Sequence, residues 1–189
     1  MRIAGGSARG RRLAVPAGLS VRPTSDRIRQ SLFNILAHAP ALRSPAGPAP
    51  MGRSVLDAFA GSGALGLEAL SRGAADATFL EIAEAARSAL GTNIRAVAPA
   101  EAEVLVMRRD ACAPGPAPRP HDLIFLDPPY GEDLVPTALA ALDTDGWIGA
   151  EAILIIESAE KDAIALPPDW TAMDRRRYGK TSIHIATRG

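Results

Sequence analysis

One stretch of the chain constrains its fold more than any other: residues 55–70, which read V-L-D-A-F-A-G-S-G-A-L-G-L-E-A-L. A short apolar run ends in an acid, a glycine-rich loop follows, and helix-forming residues continue to Gly73. This order predicts a strand, a tight turn and a helix. Glycines let the backbone approach a ligand closely, and free N–H groups at a helix start favour an anionic group. The stretch therefore predicts a cofactor site, although a strand-to-helix turn without a ligand also fits the glycine pattern.

Asp57, which precedes Gly61 by four residues, indicates the kind of cofactor. The residues from Gly61 through Gly63 to Gly66 also satisfy G-x-G-x-x-G, the dinucleotide fingerprint, which is weak evidence by itself. An acid beside this loop would repel a pyrophosphate, but it suits a ligand that carries an ammonium group. S-adenosylmethionine (AdoMet) is such a ligand, because its methionyl end has a cationic amine beside a carboxylate. We therefore expect AdoMet at this loop.

Composition limits the chain to one main domain. Its 189 residues are 47% hydrophobic, which is enough for one core and a small appendage. The single cysteine, Cys112, excludes an internal disulfide and fits a reducing compartment. No run of about 18 apolar residues is present, and the N-terminus lacks the apolar segment of a signal peptide. We expect a cytoplasmic protein that makes no contact with a membrane.

The charge is unevenly distributed along the chain. Residues 1–30 contain seven arginines and one acid, whereas the whole chain has 21 basic and 21 acidic residues. The first 30 residues therefore carry a charge of +6 and the remainder −6, which predicts a basic arm on a mildly acidic body. Residues 1–13 fit either a short hairpin or a segment that orders on binding a partner. We predict RNA contacts for Arg9, Arg11, Arg12, Arg22, Arg27 and Arg29, with solvation of a surface helix as the alternative for the last three.

A linker is predicted between this arm and the body of the protein. Ile28, Leu32, Ile35 and Leu36 recur at helical spacing, so one face of a helix here should be buried. Residues 40–50, rich in Pro and Ala, then show no periodicity. We expect residues 1–50 to form the basic arm, its helix and the linker, and residues 51–189 to form the main domain.

Two further strands end in acids. Residues 77–81 read A-T-F-L-E, and Glu81 is placed to accept hydrogen bonds from ribose hydroxyls, with an ordinary surface glutamate as the alternative. Residues 82–97 predict an amphipathic helix with Ile82, Ala86, Leu90 and Ile94 on its apolar stripe. Residues 104–107 predict the third strand, after which Asp110 can accept from an adenine amine or form a turn. The predicted cofactor-binding residues are Asp57, Phe59, Gly61, Gly63, Glu81, Asp110 and Ala111.

The fourth strand carries the predicted catalytic residues. Residues 122–130 read D-L-I-F-L-D-P-P-Y, a buried strand that ends in Asp127, Pro128, Pro129 and Tyr130. Consecutive prolines stiffen the loop and leave carbonyls free to accept hydrogen bonds. Together with the Asp127 carboxylate they form an acceptor set for an exocyclic NH₂ group, and Tyr130 offers a flat face on which a base can stack. The alternating strands and helices predict a parallel sheet with this site at the carboxyl ends of its strands.

Several motifs together resemble the RsmD-type family of 16S rRNA (guanine-N2)-methyltransferases. They are R-I-A-G-G-S-A-R-G-R-R-L, R-P-T-S-D-R-I-R-Q-S-L-F-N-I-L, F-A-G-S-G-A-L-G-L-E-A-L-S-R-G, D-P-P-Y and R-Y-G-K-T. The resemblance implies an α/β, Rossmann-like, AdoMet-dependent methyltransferase fold: a seven-stranded, mostly parallel sheet with an antiparallel C-terminal hairpin, plus a small basic N-terminal extension. It also implies that the partner is 16S ribosomal RNA or the assembling small ribosomal subunit. Residues 170–187 are the expected hairpin.

The expected reaction is direct transfer of the sulfonium methyl group to a guanine N2 amine. Asp127 and the Pro128 carbonyl would accept the two amine protons and align the nitrogen lone pair. His38, His121 and His184 are scattered and no metal-ligand spacing occurs, so we expect no metal. The alternatives are an adenine-N6 methyltransferase acting on DNA or RNA, a protein glutamine methyltransferase, and a non-catalytic RNA-binding protein.

Overall fold

The fold is a seven-stranded sheet covered by helices, seen in a computed structural model that describes residues 1–16, 26–129, 131 and 134–189. The helices are α1 (Asp26–His38), α2 (Ala64–Ser71), α3 (Glu84–Val97) and α4 (Leu134–Thr144), and a 3-10 turn spans Pro40–Leu42. The strands are β1 (Ser54–Asp57), β2 (Asp76–Leu80), β3 (Glu103–Met107), β4 (His121–Leu126), β5 (Ile148–Ala159), β6 (Trp170–Tyr178) and β7 (Thr181–Arg188).

The strand order, β3-β2-β1-β4-β5-β7-β6, creates a crevice above β1 and β4. Strands β1 to β5 are parallel, while β7 runs antiparallel to both β5 and β6. The order reverses between β1 and β4, and ligands of open α/β sheets bind at such a switch point, outside the carboxyl ends of the strands. This is a Rossmann-like α/β fold, and the predicted antiparallel C-terminal hairpin is confirmed.

Alternation along the strands divides the buried side chains between the two faces of the sheet. In β4, Leu123 and Phe125 pack into one cluster, with α1, α2 and α3, whereas Ile124 and Leu126 pack into the other, with α4. We call these clusters the first core and the second core. Because strand side chains project alternately to opposite faces, a run without polar residues, such as L-I-F-L, is what a strand covered on both faces requires.

One predicted helix boundary was wrong by two residues. The helix expected from residue 82 begins at Glu84, and Ile82, expected on the apolar stripe, is exposed. Ile82 and Ala83 instead belong to the connection that follows β2, where the Ala83 N–H bonds to Glu81. The apolar periodicity therefore extends two residues, about half a turn, beyond the N-terminal end of the helix.

The N-terminal segment is packed into the first core rather than held on a free linker. Residues 1–13 form the hairpin alternative, with an antiparallel bridge between Arg2 and Arg12. Ile3 and Leu13 from the hairpin and Leu42 and Ala49 from the Pro- and Ala-rich segment are all buried there. The expected separation of arm and body by that segment is therefore wrong, although the division at residue 50 stays a prediction.

The carboxylate of Glu68, on α2, joins the hairpin and α1 to α2. Its Oε2 accepts the Ala4 N–H at 2.7 Å and Arg29 Nε at 3.2 Å, and its Oε1 accepts Arg72 Nε at 2.7 Å. Arg29 also donates to Asp26 at 3.0 Å and to the Arg2 carbonyl. Both Arg29 and Glu68 are fully buried, so this ion pair depends on mutual compensation of charge.

No helix in the described ranges combines the length and the apolar composition that a membrane span needs.

Replacing Arg29 with alanine should destabilise the protein by about 3 kcal/mol or more, because it leaves Glu68 buried with fewer compensating groups. Chemical denaturation measures the loss. Arg27→Ala, which removes an exposed arginine from the same helix, is the matched control and should change stability by less than about 0.5 kcal/mol. Equal effects of the two substitutions would show that the buried ion pair contributes nothing.

Candidate active site

Acidic side chains from neighbouring strands meet at one edge of the sheet. Asp57 ends β1, Glu81 follows β2, and Asp127 follows β4. Because β1 lies between β2 and β4 and all three strands are parallel, their carboxyl ends face the same crevice. The structure thus brings together the acids that the sequence predicted for the cofactor and for catalysis.

The glycine-rich loop between β1 and α2 has the geometry that its sequence requires. Gly63 has φ 82°, and a Cβ there would lie 2.3 Å from Leu90, while a Cβ at Gly66 would lie 2.4 Å from Phe79. Gly61 also has a positive φ, 53°, but no described atom lies within 4 Å of the position that its Cβ would take. Gly63 and Gly66 are therefore needed for packing, and Gly61 faces open space where a ligand can approach the backbone.

Asp57 is a buried carboxylate with one oxygen that has no hydrogen-bond partner among the described residues. Its Oδ2 accepts the Gly66 N–H at 3.0 Å, while its Oδ1 has no partner there. Burial raises the pKa of Asp57 to about 7, the Gly66 N–H opposes this rise, and the Glu81 carboxylate adds to it. A cationic donor would satisfy the second oxygen and stabilise the ionised form, which is the property expected of a group that receives an ammonium.

Glu81 is hydrogen-bonded into the loop itself. Its Oε2 accepts the Gly61 N–H at 2.8 Å and its Oε1 accepts the Ala83 N–H at 2.7 Å. The carboxylate thereby fixes the position of Gly61. Each carboxylate oxygen has a further lone pair, so the expected contact with ribose hydroxyls is compatible with these bonds and stays a prediction.

Asp110 adopts the turn role that the sequence left open. Its Oδ1 accepts the Cys112 N–H at 2.8 Å, and its carbonyl accepts the Ala113 N–H at 3.0 Å. Ala111 is buried in the second core, and Phe59 packs against the same core. Burial raises the pKa of the Cys112 thiol, as does the neighbouring Asp110, so this cysteine is not activated as a nucleophile. The contact between Asp110 and an adenine stays a prediction.

The loop after β4 places Pro128 inside and Pro129 at the surface. Asp127 is half-buried at the end of the strand. Tyr130, predicted as a stacking platform, lies outside the described residues. Sequence reasoning missed Glu157, a buried acid near the carboxyl end of β5, which borders the same loop. Residues 153–159, I-L-I-I-E-S-A, look like a buried strand, and only the position of the acid at its end signals the site.

The predicted RNA-binding arginines fall into three groups. Arg9, Arg11, Arg12 and Arg27 are exposed, as phosphate contacts require. Arg22 lies outside the described residues. Arg29 was expected to be available to a polyanion, and that expectation is wrong, because the side chain is fully buried against Glu68.

The described residues contain no group of three or more His, Cys, Asp or Glu side chains that could hold a metal ion. His121 is buried, bonds to Thr78 at 3.0 Å and stacks on Trp147. Burial lowers its pKa, which favours the neutral imidazole. It therefore has a structural role in the core.

The sheet order and the glycine loop define a Rossmann-like methyltransferase fold, and comparisons with known proteins agree. The chain superposes on yhhF from Escherichia coli with a TM-score of 0.80 and 37% identity, covering 100% of this chain and 97% of that one. It superposes on HI0767 from Haemophilus influenzae with a TM-score of 0.79 and 30% identity, covering 100% and 98%. More distant neighbours, such as TrmN from Thermus thermophilus at 20% identity and a TM-score of 0.60, share the fold.

The chain belongs to the family described as Conserved hypothetical protein 95, whose model matches residues 1–187. Among curated relatives, ribosomal RNA small subunit methyltransferase D of Escherichia coli is 35% identical over 189 residues, covering 100% of this chain and 90% of that protein. The Haemophilus influenzae protein of the same name is 33% identical over 188 residues, covering 98% and 92%. The family resemblance deduced from the motifs is thereby confirmed.

The buried Asp57 should make stability depend on pH in a particular direction. Its pKa is about 7 in the folded protein and about 3.8 when unfolded, so between these values the folded state binds more protons and stability falls as pH rises. Asp57→Asn removes this contribution. The variant should gain up to about 4 kcal/mol relative to the wild type between pH 4 and pH 7.5.

Urea denaturation at several pH values measures this difference. Glu101→Gln, which neutralises an exposed acid in the turn after α3, is the control and should follow the wild type. Parallel stability curves for Asp57→Asn and wild type across this range would contradict the assignment.

Proposed function

We propose that this protein is an AdoMet-dependent rRNA methyltransferase that methylates the exocyclic N2 amine of a guanine in 16S RNA of the small ribosomal subunit. The observation that carries this proposal is the position of Asp127-Pro128-Pro129 beside the glycine loop, across adjacent strands β1 and β4. The relatives named ribosomal RNA small subunit methyltransferase D support an rRNA substrate. The exposed arginines of the N-terminal hairpin support a polyanionic partner.

The loop and strand ends fit AdoMet. Asp57 Oδ1, which has no partner in the described part of the chain, would accept a hydrogen bond from the ammonium of the methionyl end. The open space beside Gly61 would admit the ligand against the backbone. Glu81 would accept from the ribose, and the turn at Asp110 and Ala111 would border the adenine. When bound, AdoMet supplies an electrophilic methyl group.

The protein's own contribution is to orient the amine. A guanine N2 lone pair is delocalised into the ring and is a weak nucleophile, so the amine must pyramidalise before it attacks. Asp127 and the Pro128 carbonyl would accept the two N2 protons and direct the lone pair toward the methyl group. Such positioning, together with preorganised acceptors, provides most of the rate. Asp127 or water would take the proton that the amine loses on methylation.

The target base must leave its stack to reach this loop. Extrusion of a base costs a few kcal/mol, and contacts with the RNA backbone offset that cost. Ordered arginines on the hairpin would supply such contacts. The hairpin is bonded to α2 through Ala4 and Glu68, and α2 begins at the glycine loop. The arginines proposed to contact RNA would therefore be connected to the loop proposed to hold the cofactor.

Labelled AdoMet with small ribosomal subunits, naked 16S RNA, DNA or a peptide release factor tests the proposal directly. We expect label in the ribosomal RNA, and N2-methylguanosine after digestion to nucleosides and mass spectrometry. Label in adenine, in DNA or in the peptide would favour an alternative methyltransferase. No transfer to any substrate would favour a non-catalytic RNA-binding protein.

Asp127→Ala should nearly abolish turnover while the affinities for AdoMet and RNA change little, because the carboxylate contacts one amine in the reacting complex. Calorimetry with AdoMet and an RNA-binding assay provide the controls, and single-turnover methylation gives the rate. Methylation at the wild-type rate by a folded Asp127→Ala protein would refute the mechanism.

Replacing Arg9, Arg11 and Arg12 with alanine should weaken RNA binding and reduce its salt dependence. Each lost phosphate contact flattens the log–log slope by about 0.7 on single strands, so the triple variant should lose up to about 2. These side chains are exposed, so their removal should leave the hairpin packed and AdoMet binding unchanged.

A variant with lysine at the same three positions keeps the charge and is the matched control. Its RNA affinity should show the wild-type dependence on salt. Identical slopes for the wild type and the alanine variant would show that the arm only solvates a surface. The RNA groove would then have to involve Arg175, Arg176, Arg177 and Lys180.

A further inference from the structure

Glu157 lies beside the predicted catalytic aspartate. Strands β4 and β5 are parallel, and Leu126 is paired with Ile156. Asp127 directly follows Leu126 and Glu157 directly follows Ile156, so the register brings two acids next to each other at the edge where β4 ends. The mechanism described above uses only the first of them.

Glu157 is only 5% exposed. Burial of a carboxylate costs free energy that a serine or an alanine at this position would not incur. Other buried acids in the described part of the chain have evident roles: Glu68 compensates arginines, and Asp57 holds the glycine loop. Glu157 is a further buried acid, and it borders the predicted catalytic loop.

A small cavity lies where Glu157 meets the catalytic loop. It measures about 30 Å³, and its lining includes Pro128, Pro129, Glu157 and Ser158. This volume holds about one water molecule. It is too small for a whole purine, so only the edge of a base that lies across the Pro-Pro loop could enter it.

We infer that Glu157 reads the Watson–Crick edge of the target base and selects guanine, an inference that rests on the proposed function. On that edge, guanine presents an N1–H donor beside its N2 amine, whereas adenine presents an unprotonated N1. An ionised carboxylate only accepts hydrogen bonds. While Asp127 and the Pro128 carbonyl accept hydrogen bonds from the N2 amine, Glu157 accepts one from the N1–H group. An adenine would instead place its N1 lone pair against the carboxylate. Asp127 thus orients the amine, and Glu157 recognises the base.

The test uses 2-aminopurine at the target nucleotide, once the labelling experiment has mapped it. This base keeps the exocyclic 2-amine but lacks the N1 proton. A site built around a hydrogen bond discriminates strongly against an analogue that lacks the donor, so the wild-type enzyme should prefer guanine by about 100-fold or more in kcat/KM. Glu157→Gln should reduce that preference at least about 10-fold, because the glutamine amide can donate to an unprotonated N1.

Glu151→Gln is the matched control, since it makes the same change on the same strand at the exposed, opposite end of β5. It should keep the wild-type preference. AdoMet binding, measured by calorimetry, reports whether the Glu157→Gln protein is folded. If it is not folded, the preference of the wild-type enzyme for guanine over 2-aminopurine tests the inference, and a preference below about 10-fold would overturn it.

The outcomes separate the two proposals. An unchanged preference in a folded Glu157→Gln protein, with N2-methylguanosine formed by both proteins, would overturn the role of Glu157 and leave the proposed function standing. Absence of N2-methylguanosine with the wild-type enzyme would overturn both.

Discussion

The arrangement of the site depends on the hydrogen bonds that the Glu68 carboxylate accepts. It lies on α2, the helix that begins at the glycine loop, and it accepts hydrogen bonds from the hairpin backbone, from α1 and from Arg72 directly after α2. Buried ion pairs repay their desolvation only when the geometry is good and further hydrogen bonds satisfy the charges. Here three donors surround one acid, so the helix that positions the loop and the segment that carries the exposed arginines hold each other in place.

The acids at the edge of the sheet differ in their surroundings, and this separates their roles. Asp57 is buried under the glycine loop, which raises its pKa to about 7 and favours a cationic partner. Glu81 is committed to backbone N–H groups on the loop, so it shapes the cofactor site even before any ligand contact. Asp127 and Glu157 lie on the other side of the switch point. In the proposed function, one edge of the sheet therefore has a cofactor half and a target half, with β1 and β4 at their boundary.

Sequence patterns predicted the strands and the turn that depend on residues adjacent in the chain. The run before Asp57, the glycine loop and the apolar strand before Asp127 have the sequence that a buried strand and a tight turn require, and the structure has these elements. Arg29 could not be predicted in the same way. A charged residue on a helix is usually solvated, and its partner, Glu68, is 39 residues away in the chain. The sequence shows two charges but not that they are buried together.

The position of Glu157 beside Asp127 could not be predicted from the sequence either. Its strand is apolar on both sides of the sheet, so the periodicity predicts burial and nothing about chemistry. Its proximity to Asp127 comes from the β4–β5 register, which joins residues 30 positions apart and is set by packing on both faces. A site composed of strand ends is encoded partly in motifs and partly in the order of the strands, and the second part becomes visible only when the sheet is assembled. For this reason the glycine loop that we propose for the cofactor could be located from the sequence, whereas the acid that we assign to base selection required the fold.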